Sequence, residues 1–182
     1  MINRISYWVL SITSFALLVA GLLGGVIPGI NTHITFVSTE SIPTGLYWAK
    51  KIDASIQIKR GDLVCARYSP PAWAADRKYA RPGTGICKLV VGVPGDIVTP
   101  TIDAIKICNA SSSADCTVVS PIQTTDRKNR PIPQYWTTTA TLGPGDYFLV
   151  GTKSPYSLDS RYLGPLNKGG IYRMLAPLYV NP

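Results

Sequence analysis

Ile86-Cys-Lys-Leu-Val-Val-Gly92, running into Val93-Pro-Gly-Asp96, is a short β-branched run closed by a turn. Proline presets φ and glycine supplies positive φ, so the chain reverses after the run. Moving outward, the same signature recurs on both sides. Asp62-Leu-Val-Cys-Ala-Arg67 precedes it, and Ile97-Val-Thr99, Ala104-Ile-Lys-Ile-Cys108, Thr117-Val-Val119 and Tyr147-Phe-Leu-Val150 follow. Short apolar strands separated by turn residues specify a mostly β domain.

Gly61-Asp62, Gly95-Asp96 and Gly145-Asp146 each stand just ahead of an apolar strand. They are expected to act as turns and nothing more. One helix is expected over Pro71–Ala80, with proline at its start and Arg81-Pro82-Gly83 at its end. The Ser-, Thr-, Pro- and Gln-rich stretch from about Cys108 to Thr139 reads as an excursion from the core sheet, not a second domain.

The N-terminus has a different character. No charged side chain occurs between Ile5 and Thr32, and residues 7–30 are dominated by Leu, Val, Ile, Ala and Gly. A hydrocarbon core about 30 Å thick needs roughly 20 apolar residues of helix, so this stretch is expected to be a retained transmembrane anchor. A cleavable secretory signal has an apolar region of about 7–15 residues, and this one is longer. Residues 1–30 are thus assigned to a short cytoplasmic end plus anchor, and 31–182 to a separate folded domain. Arg4 and the terminal amine flank the anchor on one side, while His33 and Glu40 come first on the other. By the positive-inside rule the N-terminus stays in the cytoplasm and everything after about residue 31 lies across the membrane.

The net charge is +8, but the basic residues are scattered singly and in pairs such as Lys50-Lys51 and Arg127-Lys128. A solvated basic surface facing anionic lipid headgroups accounts for them, and no nucleic acid partner is expected. Cys65, Cys87, Cys108 and Cys116 form no Cys-x-x-Cys pair, and His33 is the single histidine, so no metal is expected. Cys108 and Cys116 bracket a polar loop that a disulfide could close. Cys65 and Cys87 fit either buried thiols or a second bridge.

With one histidine at the anchor exit, a Ser-His-Asp triad is improbable, and no phosphate-binding glycine loop or other cofactor fingerprint is present. Lysine is the natural alternative base, since burial in an apolar wall lowers its pKa. Lys88 sits in the β-branched run, where alternation puts Ile86, Lys88 and Val90 on one face. The residues alone leave two readings open: a buried general base, or an edge-strand lysine that blocks aggregation. Ser41 lies in Ser38-Thr-Glu-Ser-Ile-Pro-Thr-Gly-Leu-Tyr-Trp48, where Pro43 and Gly45 suit a tight exposed turn. It too reads either as a nucleophile or as a linker serine.

Ser41-Ile-Pro-Thr-Gly-Leu-Tyr47 resembles the serine box of the signal peptidase I family, in the short form of its conjugative-transfer (TraF-type) branch. Arg60-Gly-Asp-Leu-Val64 is similar to the strand box that follows, and Lys88-Leu-Val-Val-Gly-Val-Pro-Gly-Asp96 to the lysine box. Gly151-Thr-Lys-Ser-Pro-Tyr-Ser-Leu-Asp-Ser-Arg-Tyr-Leu-Gly164 resembles the C-terminal box. The resemblance implies bent antiparallel sheets with an apolar face that rests on the membrane. It implies Ser41 as nucleophile, Lys88 as general base, the Thr39 hydroxyl and the Ser41 N–H as oxyanion donors, and Ser157 orienting the lysine. Asp159 and Arg161 are implied as a supporting pair. The implied substrate is an exported precursor, most specifically a conjugative pilin precursor, whose new end some members join to the other terminus.

Ile42 stands where many members have methionine, Leu89 follows the lysine in place of arginine, and Gly151-Thr-Lys replaces a Gly-Asp-Asn start. These departures favour the specialised branch. A general type I signal peptidase and a non-enzymatic, membrane-tethered β-domain of a secretion or conjugation apparatus are the alternatives.

Overall fold

The computed structural model describes residues 12–19 and 31–181. Residues 12–19 form helix α1, and most of the expected anchor lies outside the described residues. Among the described residues no helix is long and apolar enough to cross a membrane.

The strands are β1 (Thr32–Val37), β2 (Thr44–Lys51), β3 (Leu63–Tyr68), β4 (Thr84–Gly92), β5 (Ile97–Pro100), β6 (Ile105–Asn109), β7 (Ser112–Val119), β8 (Ala140–Thr141), β9 (Asp146–Val150), β10 (Leu166–Asn167) and β11 (Ile171–Asn181). Two short helices join them, α2 (Ala72–Asp76) and α3 (Ser160–Leu163). A seven-stranded sheet runs β1-β2-β11-β3-β4-β9-β10 and a four-stranded sheet runs β7-β6-β5-β8. All pairings between these strands are antiparallel. The fold is mostly β, and every strand read from the sequence is present.

β1, β2 and β11 carry no clear strand signature in the sequence. Along β2 the buried residues are Gly45, Tyr47 and Ala49, while Leu46 faces out at 40% exposure. Apolar residues on the outer face hide the alternation. Gly45 was expected to shape a turn, but it lies within β2, where β11 comes so close that a Cβ would fall 2.7 Å from Val180 Cα. Only glycine fits such an approach.

β4 is interior and buried on both faces. Ile86 and Val90 pack into the cluster of Val64, Tyr147, Leu149 and Ile171. Leu89 and Val91 pack into the cluster of Val98, Ile107, Trp136 and Phe148, which joins the two sheets. Val90 and Val91 are buried while Ile86 and Leu89 are half-buried, and full burial of one such side chain is worth about 1.5–3 kcal/mol. The stretch 108–139, expected as an excursion, thus contributes β7 and Trp136 to the core itself. Ser160 O accepts from Trp136 Nε1 at 2.7 Å.

Cys65 stands opposite Cys87, and Cys108 opposite Cys116, in adjacent antiparallel strands. Both pairs are disulfides, which resolves Cys65 and Cys87 in favour of a second bridge. The expected helix over 71–80 is only five residues long. Lys78 takes φ 58°, ending the helix and turning Tyr79 back against Trp73. The Gly-Asp pairs are turns, as expected, but Asp96 does more. It is 2% exposed and ion-paired with Arg60 at 2.8 Å, besides accepting from Val93 N.

Candidate active site

Ser41 sits in the turn between β1 and β2, and Lys88 in β4. Four strand-to-strand steps separate β1 from β4, which in a flat sheet would span roughly 19 Å at about 4.8 Å per step. Lys88 Nζ is nevertheless hydrogen-bonded to Ser41 Oγ. The sheet must therefore curl, carrying the serine turn over the lysine strand.

Three anchors hold that turn. Ile42 is completely buried among Val37, Tyr47 and Leu175. Tyr47 Oη donates to Pro43 O at 2.5 Å. Thr152 N donates to Ser41 O at 2.6 Å, tying the serine backbone to the segment after β9.

Lys88 is 2% exposed, and a second hydroxyl, Ser157 Oγ, lies 2.7 Å from its Nζ. Burial of the amine, away from solvent, rules out the reading as an exposed edge lysine. Burial lowers the amine from its ordinary 10.5 to about 8, because a charged form loses hydration there. Asp159 opposes that shift and Arg161 adds to it. A neutral lysine amine is therefore accessible near pH 8, with its lone pair available to the Ser41 proton.

Beneath the amine, Asp159 and Arg161 form a bidentate pair, Nε to Oδ1 at 2.9 Å and Nη2 to Oδ2 at 2.8 Å. Their exposures are 0% and 2%. The carboxylate also accepts from Gly151 N at 2.8 Å and caps α3 through Arg161 N. Arg161 reaches Pro121 O and Ser154 O as well. A buried ion pair persists when its remaining hydrogen-bonding capacity is used in this way.

Thr39 is exposed and lies with Ser41 in the wall of a cavity of about 340 Å3, together with Val37, Cys65, Ile86 and Cys87. A second cavity of about 490 Å3 has Ser41 and Ser157 in its wall. Ser41, Lys88, Ser157, Asp159 and Arg161 are thus brought into one connected site, with Thr39 at its rim.

Sequence reasoning missed two contributors. Gly151 permits the closure of Ser157 on the lysine, since a Cβ there would lie 2.6 Å from Ser157 Cβ. Ser160 Oγ accepts from Leu149 N at 2.9 Å and fixes α3 to β9. The glycine was visible as the start of the last box, but its role depends on a contact six residues away. Among the described residues no group of three or more His, Cys, Asp or Glu side chains is placed to hold a metal ion.

The family model described as signal peptidase, peptidase S26, matches residues 5–174. Two relatives from Escherichia coli are each called plasmid transfer protein TraF. One is 29% identical over 191 residues, covering 98% of this chain and 97% of the relative. The other is 28% identical over 154 residues, covering 78% and 80%. The crystal structure of a signal peptidase I from Enterococcus faecalis V583 overlaps 64% of this chain and 94% of its own, at 22% identity and a TM-score of 0.37. That overlap is too loose to argue from.

Proposed function

From the premise that this chain belongs to the signal peptidase, peptidase S26, family, we propose that it is a membrane-bound serine endopeptidase that matures a conjugative pilin precursor with a Ser41–Lys88 dyad. The observation that carries this reading is the buried Lys88 amine held between two serine hydroxyls. The similarity to plasmid transfer proteins supports the conjugative role.

In the proposed mechanism Ser41 Oγ attacks the scissile carbonyl carbon while its proton passes to neutral Lys88. Charge develops on the carbonyl oxygen, where Ser41 N–H and the Thr39 hydroxyl serve as donors. Collapse breaks the C–N bond, and the Lys88 ammonium gives its proton to the leaving nitrogen. Water then attacks the acyl ester, yields a proton to Lys88, and the acid leaves as Ser41 regains that proton. If a substrate amine replaces water, the same steps join two chain ends and release no acid.

The acyl side of the substrate fits the smaller cavity. Among the described residues, β1 is the outer strand of its sheet, and residues 84–88 of β4 pair only with β3. An extended peptide lying between those two edges would gain main-chain hydrogen bonds from both. Close by, Phe36, Leu46 and Tyr179 are aligned across β1, β2 and β11 and are 62%, 40% and 79% exposed. Such an apolar strip suits the lipid surface from which an anchored precursor emerges. With the apolar segment before residue 31 as anchor, the domain would work on the periplasmic side.

The test is processing of a co-expressed pilin precursor in membranes by the wild type, Ser41→Ala and Lys88→Ala, read by intact mass. Loss of cleavage in both variants at unchanged protein level supports the dyad. A product lighter by one water identifies joined ends. Unchanged processing in both variants would leave the tethered binding domain as the better reading.

A further inference from the structure

The larger cavity, about 490 Å3, has no part in the chemistry described so far. We propose that it is the leaving-side subsite, holding the first residues beyond the scissile bond and favouring a large apolar or aromatic side chain there. This rests on the peptidase reading and adds a specificity to it.

Direction comes first. Ser41 is in the wall of both cavities, so an extended chain crossing it enters one on each side. The smaller cavity carries Thr39 and the unpaired strand edges. The larger carries Ser157, whose hydroxyl is 2.7 Å from Lys88 Nζ. The leaving nitrogen must collect its proton from that amine, so it departs on the Ser157 side, into the larger cavity.

Wall chemistry comes second. Trp73, Tyr79, Ile132, Tyr156, Leu158 and Tyr162 supply the apolar part of the cavity wall, beside the charged groups of residues 126–130 and Glu40. Aromatic and aliphatic walls of this kind reward a large apolar side chain and discriminate poorly among polar ones.

One part of the wall is braced by a buried carboxylate. Asp126, 6% exposed, accepts from Tyr79 Oη, from Arg130 Nε at 2.7 Å, from Arg77 Nη1 at 3.4 Å and from the backbone N of Lys128 and Arg130. Burial alone would raise this carboxyl, but the donors hold it well below the usual carboxylate range. The knot fastens residues 126–131 to the α2 region, so Tyr79 is fixed in the cavity wall before any substrate arrives. At the mouth, Arg127 pairs with Glu40 at 3.3 Å, next to Ser41, and lies over the Tyr156 ring. Both charged side chains are exposed, so an entering chain can displace the pair at small cost.

Two measurements on the full chain in detergent test this. The first compares cleavage of internally quenched peptides that share one acyl side and carry Phe, Leu, Ala or Asp at the first two leaving-side positions. The second measures, by fluorescence anisotropy, binding of labelled leaving-side peptides with Phe or Ala to the Ser41→Ala chain, which cannot turn over. Phe is expected to exceed Ala by about tenfold in kcat/KM and in affinity, and Trp73→Ala to bring both ratios below about twofold. Equal rates and affinities for Phe and Ala, or a preference that survives Trp73→Ala, would overturn the proposal. Selective binding by Ser41→Ala, with no peptide cut by the wild type, would keep the subsite and sink the peptidase reading.

Discussion

The floor and the canopy of the site each centre on a buried aspartate, and the two are built in opposite ways. In the floor, Asp159 pairs with Arg161 two residues away and caps its own helix. In the canopy, Asp126 gathers Arg77 and Tyr79 from 49 and 47 residues away. The ion pair of the floor is formed within one short helix and its cap, whereas the canopy also draws in side chains from the distant α2 region. Damage to the floor should therefore remove chemistry and stability together, while damage to the canopy should alter what the site accepts.

The largest expected effect lies at the centre of the floor. Lys88→Ala is expected to lower the single-turnover cleavage rate by on the order of 10^2- to 10^4-fold, and Lys88→Arg to fare no better, because guanidinium stays charged. Residual activity within tenfold of wild type would detach the lysine from the chemistry. Next comes Asp159→Asn, which strands the buried Arg161 charge and should cost about 3–5 kcal/mol, seen as a lower midpoint in chemical unfolding. Asp126→Asn should shift that midpoint less and change peptide preference more. The reverse order would break the distinction between floor and canopy.

Acidity sharpens the same contrast. With the Lys88 amine lowered to about 8, it is protonated below that pH and neutral above it, and the proposed mechanism needs the neutral form. The cleavage rate should rise about tenfold per pH unit up to about pH 8 and then level off. A profile already flat from pH 6 would exclude an unprotonated lysine as base. The smallest effect is expected from Glu40→Gln. Exposed ion pairs are worth about 0–1 kcal/mol, so thermal unfolding should be unmoved.

The contrast also explains what the sequence could reveal. Strands such as Ile86–Gly92 and Tyr147–Val150 were legible because they are buried on both faces and read as continuous apolar runs. β1, β2 and β11 were not, because Phe36, Leu46 and Tyr179 put apolar side chains on the exposed face. Asp159 and Arg161 are near neighbours in a recognisable box. Asp126, by contrast, gives no local sign that it answers Arg77 and Tyr79. The same holds for Cys65 and Cys87, which become partners only once β3 and β4 are in register. From periodicity alone Ser41 and Lys88 remained ambiguous, since neither carries a signal of the sheet curvature that joins them.

β11 is the last strand in the chain, yet it lies between β2 and β3. The serine turn belongs to the β1–β2 hairpin, and the lysine to the group formed by β3, β4 and β9. During synthesis these two parts have no shared sheet until residues 171–181 emerge and wedge between them. Such late, distant pairing makes for slow assembly, and it keeps Ser41 and Lys88 apart in the nascent polypeptide. On the proposed reading, the site would stay incomplete until residues 171–181 have been added to the sheet.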